Sequence, residues 1–224
     1  QGTAQNEASR QAMKTGLALL GWPIPETRGG RLRVFSTELW VELQHRLFGP
    51  QVRRTPEDLA ASKELHGLMR SVGDALYLVR DQPELPLYLI LVCLHAAERV
   101  DDRAQQASGL AGLAHITSFL PLPGLSRYYL ERANALARET IDPRNDFGFH
   151  SLACLLAHAQ GAWGEADGHI AQLIKNAEST ADLGLLAMAE NMRCALACVR
   201  DQYDELGQLA QRTEQLGRQI GNAQ

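Results

Sequence analysis

The stretch Asp142-PRNDFGFHSLACLLAHAQGAWGEADGHIAQLIKNAESTA-Asp182 decides the fold. Phe149, Leu152, Ala153 and Leu156 fall at i, i+3, i+4 and i+7, the spacing that lines one face of an α-helix. The turn-rich sextet Gly161-Ala162-Trp163-Gly164-Glu165-Ala166 then breaks the pattern, and a second helical stretch follows over 163–181. Asp142 and Asp182 are N-cap candidates, since their side-chain oxygens accept the unpaired N–H groups of a helix's first turn. Pro143 takes the favoured first helical position. The unit is a helical hairpin 40 residues long.

The same unit recurs in both directions. Asp102, Asp142, Asp182 and Asn222 stand 40 residues apart. So do the sextets that begin at Asp81, Pro121, Gly161 and Asp201. Apolar columns repeat with them: Leu76, Ile116, Leu156 and Leu196; Val79, Phe119, Ala159 and Val199; Val72, Gly112, Leu152 and Met192. The pattern predicts first helices over 56–80, 103–119, 144–160 and 184–200, and second helices over 84–100, 123–140, 163–181 and 202–219. Thr55-Pro56-Glu57-Asp58 starts the first, with a capping hydroxyl, a proline and acids at the positive helix end. Two further helices precede the array, over about 4–19 and 31–48, with Gly21-Trp22-Pro23-Ile24-Pro25 as the turn between them. No long stretch alternates as a half-buried strand would. The expectation is an all-α chain: a helical pair and connector over 1–54, continuous with four antiparallel hairpins stacked as an α-solenoid over 55–224.

Composition narrows the function classes. The 224 residues carry a net charge of −4, with 45% hydrophobic and 21% charged side chains, as in an ordinary globular chain. A chain living on phosphate contacts would be basic, so nucleic acid is not the expected partner. Cys93, Cys154, Cys194 and Cys198 form no disulfide framework and read as free thiols of a reducing, cytoplasmic compartment. The longest apolar run, Leu85 to Ala97, falls short of the roughly 20 residues of a membrane span. The chain begins at Gln1, in helical sequence, as a fragment of a larger protein would.

These residues resemble the tetratricopeptide superfamily. The sextet at Gly161 is similar to that family's inter-helix turn, and Leu130 and Ala133 sit where its second helix packs back on its first. The unit is longer than the family's roughly 34 residues. Its small-residue position is Gly73, Leu113, Ala153 and Arg193 here. A narrower resemblance runs from Ala18-Leu19-Leu20-Gly21-Trp22-Pro23-Ile24-Pro25 through the helix with Glu42-Leu43-Gln44-His45-Arg46-Leu47 and on into the hairpins. This order is similar to the C-terminal regions of large bacterial signalling ATPases, often linked to cyclase or kinase domains, and to helical arrays in maltose-regulon-type transcription activators. The resemblance implies a non-enzymatic regulatory module that binds protein, either other domains of its parent or a separate partner. The alternative is a ligand-sensing domain of a transcription regulator that binds a small molecule.

No phosphate-cradling G-x-x-x-x-G-K-[ST], H-E-x-x-H or C-x-x-C motif occurs, so no catalytic residue and no cofactor are expected. His150, Cys154 and His158, with Cys194 and Cys198 one repeat on, could place soft donors on adjacent helices. They read instead as small packing residues, and no metal is expected. In tetratricopeptide arrays the concave face is built from first helices, which implies a groove lined by Arg70, Asp74, Tyr77, Thr117, Ser118, His150, Cys154, His158 and Glu190. Arg28, Arg31, Arg33, Arg46, Arg53 and Arg54 make the first quarter locally basic, which reads first as a solvated face and second as an acidic partner's site.

Overall fold

Ten helices occur among the described residues, and no strand. They are α1 (Gly2–Leu19), α2 (Arg28–Phe48), α3 (Pro56–Leu76), α4 (Glu84–Val100), α5 (Arg103–Thr117), α6 (Pro123–Ala137), α7 (Pro143–Ala159), α8 (Trp163–Thr180), α9 (Leu183–Val199) and α10 (Tyr203–Asn222). The computed structural model describes residues 2–76, 84–120, 123–139 and 143–222, and side chains over 11–68, 85–120, 124–139 and 146–221. Every helix expected from the sequence is present. No described helix is long and apolar enough to cross a membrane.

One turn joins helix to helix at five places. The residue after the helix takes a left-handed conformation at Gly21, Asp101, Gly161, Ala181 and Asp201, with φ between 52° and 91°. Its N–H donates to the carbonyl three residues back, and the next N–H to the carbonyl five residues back, as in Gly161 to His158 at 3.0 Å and Ala162 to Ala157 at 2.8 Å. This is the Schellman arrangement, which satisfies carbonyls that a helix end leaves unpaired. At the last four of these turns the following helix starts two residues after the left-handed one. Asp102 Oδ1 accepts from the Gln105 N–H, and Asp182 Oδ1 from those of Gly184 and Leu185. Thr55 caps α3 through the Asp58 N–H, and its hydroxyl donates back to the Asp58 carboxylate. Asp142 lies outside the described residues. Asn222 is no cap, since it closes α10.

The chain divides into two compact units, residues 1–109 and 110–224, at a point inside α5. In the first unit α1 packs on α3, α2 on α4 and α3 on α4. Their core joins Met13, Leu17, Leu65, Leu85, Leu89 and Val92, with Trp22, Val34 and Phe35 against it. In the second unit α6 to α10 pack each on the next or next but one along α7, α8, α9 and α10. Phe147, Leu173, Ala177, Leu185 and Ala189 form one cluster there, and Cys154, Ala157, Ala166, Ile170 and Leu196 another.

The apolar columns hold unevenly. Leu156 and Leu196 are buried, whereas Ile116 is only half-buried. The column through Phe119, Ala159 and Val199 is exposed, because these residues lie on or just past the last turn of α5, α7 and α9 and overhang the packed region. Arg193, in a position expected to be small, reaches Glu205 on α10 at 2.7 Å. Leu76, Val72 and Val79 fall outside the described side chains.

Candidate functional site

Of the nine expected groove residues, the six with described side chains do not share one open surface. Arg70, Asp74 and Tyr77 lie outside the described side chains. Thr117 is buried and its hydroxyl donates to the Leu113 carbonyl at 2.6 Å. Cys154 is buried beside the Ala166 carbonyl, and burial pushes its thiol up to about 11. Glu190 is fully buried, 3.0 Å from Arg212 Nε. These three are therefore packing residues and leave the groove lining. Ser118, His150 and His158 are half-buried. Ser118 lines an open depression with Phe119, Leu130 and Gln160. His150 Nδ1 is 2.9 Å from His169 Nδ1, and burial holds both imidazoles below their ordinary range. His158 sits edge-on to Trp163, 5.3 Å between ring centres. Cys194 approaches Thr213, and Cys198 is exposed. The soft-donor constellation is thus dispersed.

The residues that the structure does bring together lie on α2, which turns an apolar stripe outward and places charged side chains beside Val34 and Phe35 on its inward face. Leu32, Leu39, Trp40, Leu43 and Leu47 are between 42% and 65% exposed. At about 100° per residue they occupy a stripe roughly 100° wide. The exposed Arg28 and Arg46 flank it on one side and Arg33 on the other. A surface helix ordinarily turns such a stripe to the core and its charges to water. Here the inward face carries Glu38, Glu42 and His45, spaced i, i+4 and i+7.

Those three meet His95 and Glu98 of α4. His95 Nδ1 is 2.7 Å from Glu38 Oε2, and its Nε2 is 3.5 Å from Glu42 Oε2. His45 Nδ1 is 2.6 Å from Glu98 Oε2, and the two imidazoles stand edge to face, 5.1 Å between centres. Glu42, His95 and Glu98 are buried. Burial by itself would lower the His95 imidazole, but the hydrogen bond to Glu38 and the nearby Glu42 carboxylate outweigh it and hold it up at about 9. Burial raises the Glu98 carboxyl, and the His45 hydrogen bond only partly offsets that. Both oxygens of Glu42 and Nε2 of His95 are buried without a hydrogen bond of ordinary geometry.

Sequence reading missed this cluster. Its signals were an acidic stripe on α2 and a His-x-x-Glu pair at the end of the most apolar helix, more than 50 residues away. A charge in such a helix needs a partner, but nothing local names which. No protein-family model, curated protein or solved structure matches the chain.

Proposed function

We propose that the chain is a non-enzymatic protein-interaction module of a larger signalling protein, in which the hairpins form a solenoid scaffold and the outer face of α2 is the docking surface. The observation that carries this reading is the outward stripe of Leu32, Leu39, Trp40, Leu43 and Leu47. Exposing so much contiguous apolar side chain on one helix costs solubility unless a partner covers it. The arginines on both edges favour an amphipathic helix with acidic flanks as that partner, docking in the helix-on-helix mode. Trp40, midway along the stripe on its Arg33 side, suits the role of anchor. The competing reading, a small molecule held in a concave groove, loses support because Thr117, Cys154 and Glu190 are enclosed.

The test is a photo-crosslinking residue placed at Leu43 in the full-length parent, with one at Ala171 as control, and binding measured for Leu43→Asp and Trp40→Ala. A single adduct from position 43, with affinity for that protein or parent domain reduced at least tenfold in both variants, is expected. Adducts from position 171 alone, or affinity unchanged in both variants, would refute the assignment.

A further inference from the structure

We propose that His45, His95, Glu42 and Glu98 form a site for one divalent transition-metal ion of the zinc class, held between α2 and α4. Each helix offers a carboxylate and an imidazole one turn apart, Glu42 with His45 and His95 with Glu98, the i, i+3 spacing by which facing helices build metal centres. One donor atom from each of His45, His95 and Glu98 lies within 4.8 Å of the others. Two donors on one such ion, each at about 2.0–2.2 Å, stand roughly 3.4 Å apart in tetrahedral geometry, so the widest separation needs to close by little more than an ångström, while His45 Nδ1 and Glu98 Oε2, at 2.6 Å, move slightly apart.

A second, independent observation points inward. Both Glu42 oxygens and His95 Nε2 are buried without a hydrogen bond, and the contact between Glu42 Oε2 and His95 Nε2 is a loose ion pair at 3.5 Å. Buried polar atoms of this kind are costly unless something occupies them. Glu38 supplies the outer contact. An incoming ion would displace the Nε2 proton that faces Glu42, while Glu38 goes on accepting from His95 Nδ1–H at 2.7 Å, the carboxylate–histidine–metal relay seen in metal sites generally. Two imidazoles and two carboxylates select zinc-class ions over calcium and magnesium, which take all-oxygen shells. His45 and Glu38, with 20% and 17% of their side chains exposed, give the ion a route in. The ion would bolt the inner face of α2 to α4. The proposal stands independently of what docks on the outer face.

The experiment uses the whole chain stripped with chelator, titrated with Zn2+ by calorimetry and with Co2+ by visible absorption. One equivalent of each is expected, with Zn2+ displacing Co2+ and abolishing its bands. His95→Gln and Glu42→Gln, checked for native helicity by circular dichroism, should each weaken binding at least tenfold. Glu38→Gln, which removes no ligand, should weaken it about tenfold. The double variant His150→Ala, His169→Ala should bind as the wild type does. Where a variant does not fold, histidine NMR of the wild type decides. Zn2+ should shift the ring resonances of His45 and His95 and leave those of His150 and His169 in place. Absence of stoichiometric binding, binding unchanged in folded His95→Gln and Glu42→Gln, or shifts confined to His150 and His169 would overturn the site.

Discussion

Exchanging the residues at two equivalent turns should move stability in opposite directions. Gly161 and Ala181 fill the same place in successive connections, with φ of 71° and 52°. A left-handed conformation costs an L-residue about 1–2 kcal/mol, because Cβ crowds the following carbonyl. Glycine escapes that cost but adds about 0.4–1 kcal/mol of freedom to the unfolded chain. The difference predicts that Ala181→Gly stabilises by about 0.5–1 kcal/mol and Gly161→Ala destabilises by a similar amount. Contacts do not confuse the result. A Cβ at Gly161 would meet no atom within 4 Å, and the Ala181 methyl is exposed. Asp101 and Asp201 are poorer choices, since Asp101 pairs with Arg103 at 2.8 Å and Asp201 accepts from the Tyr203 hydroxyl at 2.8 Å. Urea unfolding followed by circular dichroism reads both changes, and the double variant should return close to the wild type. If Ala181→Gly destabilises while Gly161→Ala is harmless, the turns hold no left-handed strain and the common hydrogen-bond pattern is misassigned.

His115, His150 and His169 are held below the ordinary imidazole range, chiefly by burial. At these three the unfolded chain therefore takes up protons first, and their contribution to stability, complete above about pH 6.5, should fall as pH drops below it. His95, held up at about 9, works the opposite way, its contribution complete below about pH 6.5 and lost toward pH 9, so urea midpoints at pH 7.5 and 5.5 in a His95→Gln background check the first effect. Leu173→Ala, at a fully buried site, should cost about 2–5 kcal/mol, whereas Phe119→Ala, exposed past the end of α5, should stay within about 0.5 kcal/mol, by the same melts. Among the thiols, Cys198 should label rapidly with a maleimide, while Cys93, pushed up to about 12 by burial, and Cys154 should label only in denaturant, as mass spectrometry will show.

Sequence was most informative where structure is local. The start at Thr55-Pro56 and the caps Asp102 and Asp182 were legible because capping depends on residues three positions away. The ends were legible for the same reason, although an aspartate or alanine in the left-handed position gives no glycine signal at 101, 181 and 201. Burial along the repeat was legible for Leu156 and Leu196 but not for Phe119 or Val199, since equal spacing in sequence does not say where a helix outruns its neighbour. The functional residues were hardest. Glu190 was placed in a groove by analogy of position, yet it is enclosed against Arg212. The Glu38–His95 and His45–Glu98 pairs depend on α2 crossing α4, a tertiary fact with no periodicity of its own.

The turns also decide where such a chain can grow. The four at Asp101, Gly161, Ala181 and Asp201 use two or three residues outside helix and close the same two backbone bonds, so their length is set by hydrogen bonding and not by reach. A single residue inserted within a helix's first turn would rotate the rest of that helix by about 100° relative to its start and carry its buried face toward water. Tags, loops or whole inserted domains therefore belong elsewhere. The segment between α2 and α3 offers one such place. Arg53 N–H is fastened to the Arg99 carbonyl at 2.6 Å, but Gln51 and Val52 just before it are exposed and belong to no helix. Extra sequence spliced between those two residues meets no helical ladder to disrupt, which makes that junction the natural point for lengthening the protein.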